Sequence, residues 1–163
     1  MKKLFLFLIF IPLYSLALSI KIPIVAIDYG ISKVFPIEKT LVGNNIKVFN
    51  PKLIVEDNKF KLKTDYESKT IFKKFSGNMF FESDIRFDPL TYDIYLDKVK
   101  LVKITNGKKE YLPESNFISR NLLKGIYTVI ESKSIYNTKE HALTKLLPIK
   151  DIDIVKNELL VVF

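Results

Sequence analysis

Between residues 59 and 101 three runs, 59–66, 78–87 and 92–101, alternate apolar and polar positions with period two, and beyond residue 113 the period becomes helical. Phe60, Leu62, Thr64 and Tyr66 share one face of a predicted strand, with Lys59, Lys61, Lys63 and Asp65 on the other. Met79, Phe81, Ser83, Ile85 and Phe87 alternate in the same way with Asn78, Phe80, Glu82, Asp84 and Arg86. In the next run Tyr92, Ile94 and Leu96 share a face, but the apolar pair that follows is Val99 and Leu101. That change of parity predicts a β-bulge near Asp97-Lys98, a device that bends a sheet. The stretch Glu114–Lys133 then reads as an amphipathic helix. At about 100° per residue, Ile118, Leu122, Leu123, Ile126, Tyr127, Val129 and Ile130 cover an arc of roughly 180°. Arg120, Asn121, Lys124, Thr128, Glu131 and Ser132 fill the opposite side. So broad an apolar stripe calls for a curved surface around it.

The remaining elements follow from turn and cap residues. Ile20–Ala26 reads as a first strand, placed at an edge by Pro23. Asp28 caps a short helix over Tyr29–Val34 that Pro36 ends. Gly43-Asn44-Asn45 is a turn, Ile46–Val55 a strand with Pro51 at an edge or bulge, and Glu56-Asp57-Asn58 a hairpin turn. Phe72–Phe75 continues the sheet. Asp88-Pro89-Leu90-Thr91 has proline at the second position of a type I turn, and Asn106-Gly107 closes the bulged strand. After the long helix come an extended Ile135–Tyr136 and a short helix to about Leu146, capped by Asn137 or Thr138. A terminal hairpin of Ile149–Val155 and Glu158–Phe163 turns at Lys156-Asn157. The expected fold class is α+β: a strongly curved antiparallel β-sheet wrapped around one long amphipathic helix, with one or two short helices.

The first 19 residues stand apart. Met1-Lys2-Lys3 is a basic start, Leu4–Leu18 is nearly all apolar, and Ala17-Leu18-Ser19 puts small residues at a cleavage site. This is the pattern of a secretory signal peptide, and its apolar run falls short of the ~20 residues of a spanning helix. Residues 20–163 then form a single domain, and the basic, Phe-rich leader places it in a bacterial periplasm. Without Lys2 and Lys3 the 26 basic residues fall to 24 against 18 acidic ones, a net charge of +6. The lysines are spread along strand faces, which suits solvation first and attraction to an anionic membrane surface second. Nucleic acid is not an expected partner.

Candidate chemistry is sparse. The chain has no cysteine and one histidine, His141, so disulfides, thiolate chemistry and histidine-based metal or triad sites are not expected. His141 reads as an exposed residue on a short helix. Asp88, Asp93 and Asp97 surround one hairpin, but their spacing matches no cation loop, and Asp151 and Asp153 suit a solvated strand face. No enzyme activity, metal or cofactor is expected. Aromatic residues are plentiful: 13 Phe and 8 Tyr. Phe60, Tyr66, Phe81, Phe87, Phe117 and Tyr127 either fill a dry core or line an apolar site. Phe80 and Tyr95, on the opposite faces, are expected to form an exposed patch.

The stretches Phe35-Pro36-Ile37-Glu38-Lys39, Ile85-Arg86-Phe87-Asp88-Pro89, Ile94-Tyr95-Leu96-Asp97 and Ile152-Asp153-Ile154-Val155-Lys156-Asn157-Glu158-Leu159, in this order around the long helix, resemble the YceB-like family of bacterial envelope lipoproteins. The resemblance spans about Ile20 to Phe163. It implies a curved sheet around a long helix, similar to the tubular lipid-binding superfamily, whose members hold lipid between helix and sheet. Relatives carry a lipid-modified cysteine at the cleavage site, where this chain has Ser19-Ile20, so no lipid anchor is expected. The implied function is binding of a lipid or other hydrophobic small molecule in a groove lined by Phe60, Leu62, Tyr66, Phe81, Ile85, Phe87, Leu122, Ile126, Tyr127 and Ile130. The alternative is a closed-core envelope module acting through protein–protein contacts.

Overall fold

The computed structural model describes residues 18–57, 59–107, 109–111, 120–155 and 158–163. The expected leader through residue 17, Asn58 of the turn after β3, the turn at 156–157 and the first part of the expected long helix, with Phe117 and Ile118, lie outside these residues. The architecture is α+β, mostly antiparallel sheet, with a strongly curved half-barrel and two helices.

The half-barrel is built from β2 (Ile37–Leu41), β3 (Asn44–Glu56), β4 (Lys59–Lys69), β5 (Lys74–Asp88), β6 (Asp93–Asn106) and β7 (Lys109–Tyr111), side by side in chain order. A short strand β8 (Ser134–Asn137) pairs with the start of β6, on the edge that β7 occupies further along. Three irregularities bend the sheet. In β3, Asn50 and Pro51 together stand opposite the single residue Thr64, between the pairs Phe49–Asp65 and Lys52–Lys63, so the buried positions change from Ile46 and Val48 to Leu53. In β6, Lys98 and Val99 are inserted opposite Ser83, with Lys98 at φ +50°. This is the bulge that the parity change predicts. A second bulge in β6, at Val102, shifts the buried position once more, to Ile104. Each extra residue raises local twist and coils the ladder.

The concave face is covered by two helices, and this corrects the expectation of one long helix. α1 (Ile24–Ser32) contacts β3 and β8, while α2 (Arg120–Ser132) contacts β2 and β6. α1 starts five residues before the predicted Tyr29, because the chain leaves its first strand β1 (Ser19–Pro23) directly after Pro23. Asp28 is therefore inside the helix rather than at its cap. Its carboxylate accepts the Leu53 N–H at 2.8 Å, just past the β3 bulge. α1 buries Ile27 and Ile31, and α2 buries Leu122, Leu123, Ile126 and Ile130.

A second sheet is ordered β1-β10-β9, with β9 (Asp151–Val155) and β10 (Glu158–Val162) as the predicted terminal hairpin. Its Ile22, Ile154, Leu159 and Val161, with Phe163 beyond it, join the same apolar core as the half-barrel. Asn137 caps a 3-10 turn over Thr138–Glu140 by accepting the Lys139 N–H, and Ala142–Lys145 forms another. These replace the predicted short helix. Smaller corrections concern turns. The β2–β3 turn is Val42-Gly43, with Asn44 and Asn45 already in β3, and β5 begins at Lys74 rather than Phe72.

Candidate functional site

Strands β4 and β5 bring Phe60, Leu62, Tyr66 and Phe81 to the concave face because each lies at the inward parity of its strand. Helix α2 brings Leu122, Ile126 and Ile130 onto them at the 3.6-residue period. All seven belong to one apolar cluster, and none is more than 5% exposed. Tyr127 is half-buried and meets the Phe81 ring edge-on, centroids 6.3 Å apart and planes at 90°.

Ile85 and Phe87, the other two predicted groove residues, are half-buried and line different surface clefts. Ile85 borders a cleft of about 590 Å³ between the β5–β6 bulge and β9. Phe87 borders one of about 280 Å³ with Tyr92 and Thr144–Ile149. Two further clefts, of about 420 and 220 Å³, are lined by charged strand residues such as Lys47, Glu67 and Lys69 or Lys59, Glu82 and Lys100. None of these four clefts has an α2 residue in its wall.

The polar groups turned inward are few. The Thr64 hydroxyl reaches the Met79 carbonyl at a long 3.5 Å. The Tyr66 hydroxyl is buried without a hydrogen-bond partner among the described residues, and burial, with a smaller contribution from Tyr111, pushes this phenol above its ordinary pKa. Burial also raises the Tyr127 phenol, partly offset by the bond its oxygen accepts from the Leu101 N–H at 3.1 Å.

One residue of this seam lies where the sequence pattern does not put it. Glu131 falls on the predicted polar side of α2, yet its carboxylate accepts the Val99 N–H at 2.7 Å. Tyr127 and Glu131 are one helical turn apart, and Val99 and Leu101 lie on the stretch of β6 between its pairings with β8 and β7. Two helix side chains thus satisfy backbone donors on an otherwise open strand edge. The bulge was the available signal, since it frees a backbone N–H that must find an acceptor. Glu131→Ala should lower stability by about 1–3 kcal/mol, the cost of a buried donor left unpaired. Glu131→Gln should lose less, because its amide oxygen still accepts; urea midpoints of the two variants check this.

The aspartates serve structure. Asp88 accepts the Leu90 N–H in its own turn, and Asp97 lies 3.9 Å from Arg86. Asp93 accepts from Ser134 at 2.8 Å and Asn137 at 2.7 Å, fastening β8 to β6. Burial alone would raise the Asp93 carboxyl, but hydrogen bonds from Asn137, Thr91, Ser134 and Tyr95 outweigh it and hold it below its ordinary value. A carboxyl with a lowered native pKa stabilises the fold above its unfolded pKa of about 3.9, and loses that effect as pH falls through the native value. Asp93→Asn should therefore lower Tm at neutral pH, with the gap to the parent protein narrowing as pH falls below about 3.9. Asp151 accepts the N–H of its neighbour Ile152.

His141 is not an exposed helix residue but sits between the two 3-10 turns, half-buried, its Nε2 2.8 Å from the Tyr136 hydroxyl. Nor do Phe80 and Tyr95 form a bare patch. Phe80 lies under the ammonium groups of Lys63 and Lys103, at 5.9 and 4.7 Å, and Tyr95 under Arg86 at 4.5 Å. Cross-strand register puts the cations there, since Lys63, Phe80 and Lys103 are directly paired across three strands.

The chain matches no known family model and no curated protein.

Proposed function

We propose that this chain is a non-enzymatic module of the bacterial envelope, exported by its leader, with a core filled by its own side chains and a surface that makes its contacts. The observation that carries this reading is the burial of Phe60, Leu62, Tyr66, Phe81, Leu122, Ile126 and Ile130, each 0–5% exposed. An apolar ligand site of useful size is a concavity of some ~300 Å³ or more, and the near-zero exposure of these side chains within one apolar cluster supports a filled interior instead. The carboxylates of Asp28, Asp93 and Glu131 are likewise engaged by donors within the fold. Native mass spectrometry of the protein purified from its own envelope tests the reading. The expected result is the bare chain mass and no thermal shift on adding phospholipid or fatty acid. A reproducible lipid adduct would overturn it.

A second reading has one specific observation in its favour. The Tyr66 hydroxyl, 1% exposed, points into the interior without a partner among the described residues, and an acceptor on a bound hydrophobic ligand would satisfy it. The resemblance to YceB-like and tubular lipid-binding proteins points the same way. On this reading the lipid adduct appears in the mass spectrum and weakens in Tyr66→Phe.

A further inference from the structure

Two neighbouring hairpin turns end the half-barrel on the same side, and both carry apolar residues where turn chemistry favours Gly, Asn or Asp. The β2–β3 turn is Val42-Gly43 and the β4–β5 connection is Thr70-Ile71-Phe72-Lys73. Val42 is 92% exposed, Ile71 76% and Phe72 89%. The turns touch: a Cβ added to Gly43 would meet the Ile71 side chain at 3.0 Å.

The backbone that presents Ile71 and Phe72 is held in place. The Thr70 hydroxyl accepts the Lys73 N–H at 3.0 Å, and the Thr70 N–H reaches the Lys73 carbonyl at 2.8 Å, which fixes Ile71 and Phe72 at the apex. Val42 has φ +33°, an unfavourable conformation for a β-branched residue. Glycine or asparagine would relieve that strain and remove an exposed apolar group at once.

The charge around the apex is basic. Lys69, Lys73 and Lys74 are exposed and make no ion pair among the described residues, and Lys69 lies directly across from Lys74. Like charges in register disfavour the sheet. Glu67, two residues before Lys69 on β4, makes no salt bridge among the described residues and lines a shallow cleft with Glu38, Lys47, Lys69 and Lys74, in which lysines outnumber carboxylates. An apolar tip flanked by lysines without ion pairs is complementary to one kind of surface, an anionic bilayer, where apolar groups enter the acyl boundary and ammonium groups stay among the phosphates.

We propose that Val42, Ile71 and Phe72 insert into the interface of anionic membranes, with Lys69, Lys73 and Lys74 binding the lipid headgroups. The proposal deepens the surface-contact reading above. Its test reads vesicle docking rather than an interior ligand, so either can fail alone.

The chain contains no cysteine, so a single introduced thiol takes one label. Val42→Cys and, at the opposite end of the sheet, Leu90→Cys are each labelled with an environment-sensitive fluorophore in the full chain. They are mixed with vesicles containing phosphatidylglycerol or made of phosphatidylcholine alone. The label at 42 should shift to the blue with phosphatidylglycerol only, and the shift should fade as salt rises. The label at 90, itself on an exposed apolar residue, should not move. Adding Ile71→Asp and Phe72→Asp should weaken docking by about tenfold or more, and each Lys→Ala at the tip by about fivefold. No shift at 42, an equal shift at 90, or a shift that survives the two aspartates would overturn the proposal. Circular dichroism of the aspartate variant confirms that the fold is kept.

Discussion

Gly30→Ala should be among the most destabilising single substitutions in the chain, although alanine is the better helix former. In an exposed helix the exchange stabilises by about 0.5–1 kcal/mol. Here α1 lies backbone-to-backbone against β8: a Cβ on residue 30 would sit 1.6 Å from the Ile135 carbonyl oxygen and 2.6 Å from its carbon. Neither atom is the end of a flexible side chain, so a whole element has to move. If β8 retreats, its pairing with β6 and the Ser134 and Asn137 bonds to Asp93 are lost. If α1 retreats, Ile27 and Ile31 leave the core and Asp28 leaves the Leu53 N–H. Either route should cost more than about 4 kcal/mol, a large share of the 5–15 kcal/mol typical of a domain. Gly125→Ala is the matched comparison. Its Cβ would meet only the Lys39 side chain, at 3.4 Å, so this variant should gain about 0.5–1 kcal/mol. Thermal melts by far-ultraviolet circular dichroism would read both, and equal melting temperatures for Gly30→Ala and the parent would refute the close α1–β8 contact.

The contrast between these glycines shows which parts of the fold the sequence makes legible. Periodicity reports on single elements, and it was enough for β4, β5, the Lys98 bulge, β8 and the terminal hairpin. In each of these one face is buried and the other solvated, so burial writes itself directly into the pattern. Ile24–Ile31 carries a mixed signal because its apolar residues suit a strand as well as a helix, so the pattern alone does not mark the start of α1 at Ile24. The division of the concave face between two helices was not legible either, since it depends on how far the sheet curls. Two of the three irregularities that bend it lie at Asn50-Pro51 and Val102, of which only the first has a sequence marker, the proline. Of the ten predicted groove residues, seven do meet in the interior. Ile85 and Phe87 lie further along β5, beyond the Lys98 bulge, where the inward face turns toward the surface clefts. Glu131 was hidden by its charge: a helical wheel scores it as solvent-facing, whereas the backbone of β6 requires an acceptor at that place.

Phe81→Ala should produce the other large effect and at the same time distinguish a filled interior from an open groove. Phe81 is 1% exposed, lies on β5 directly across from Leu62 and Leu101, and meets Tyr127 of α2 edge-on. Truncating a phenylalanine so enclosed removes its transfer free energy and leaves a cavity that rigid neighbours on two strands and a helix cannot close. The expected loss is about 3–5 kcal/mol, including about 0.5–1.5 kcal/mol from the aromatic pair. Measured by urea unfolding, the midpoint should fall with little change in slope. The new cavity is apolar, so it should stay dry and admit a small hydrocarbon. Benzene should therefore raise the melting temperature of Phe81→Ala and leave the parent protein unmoved. An open groove reverses both signs: the parent would already respond to benzene, and the substitution, merely widening a solvent-accessible wall, would cost well under about 2 kcal/mol. Because the stability loss and the ligand response are separate measurements, a variant that simply fails to fold would still leave the parent's benzene response to decide between the two interiors.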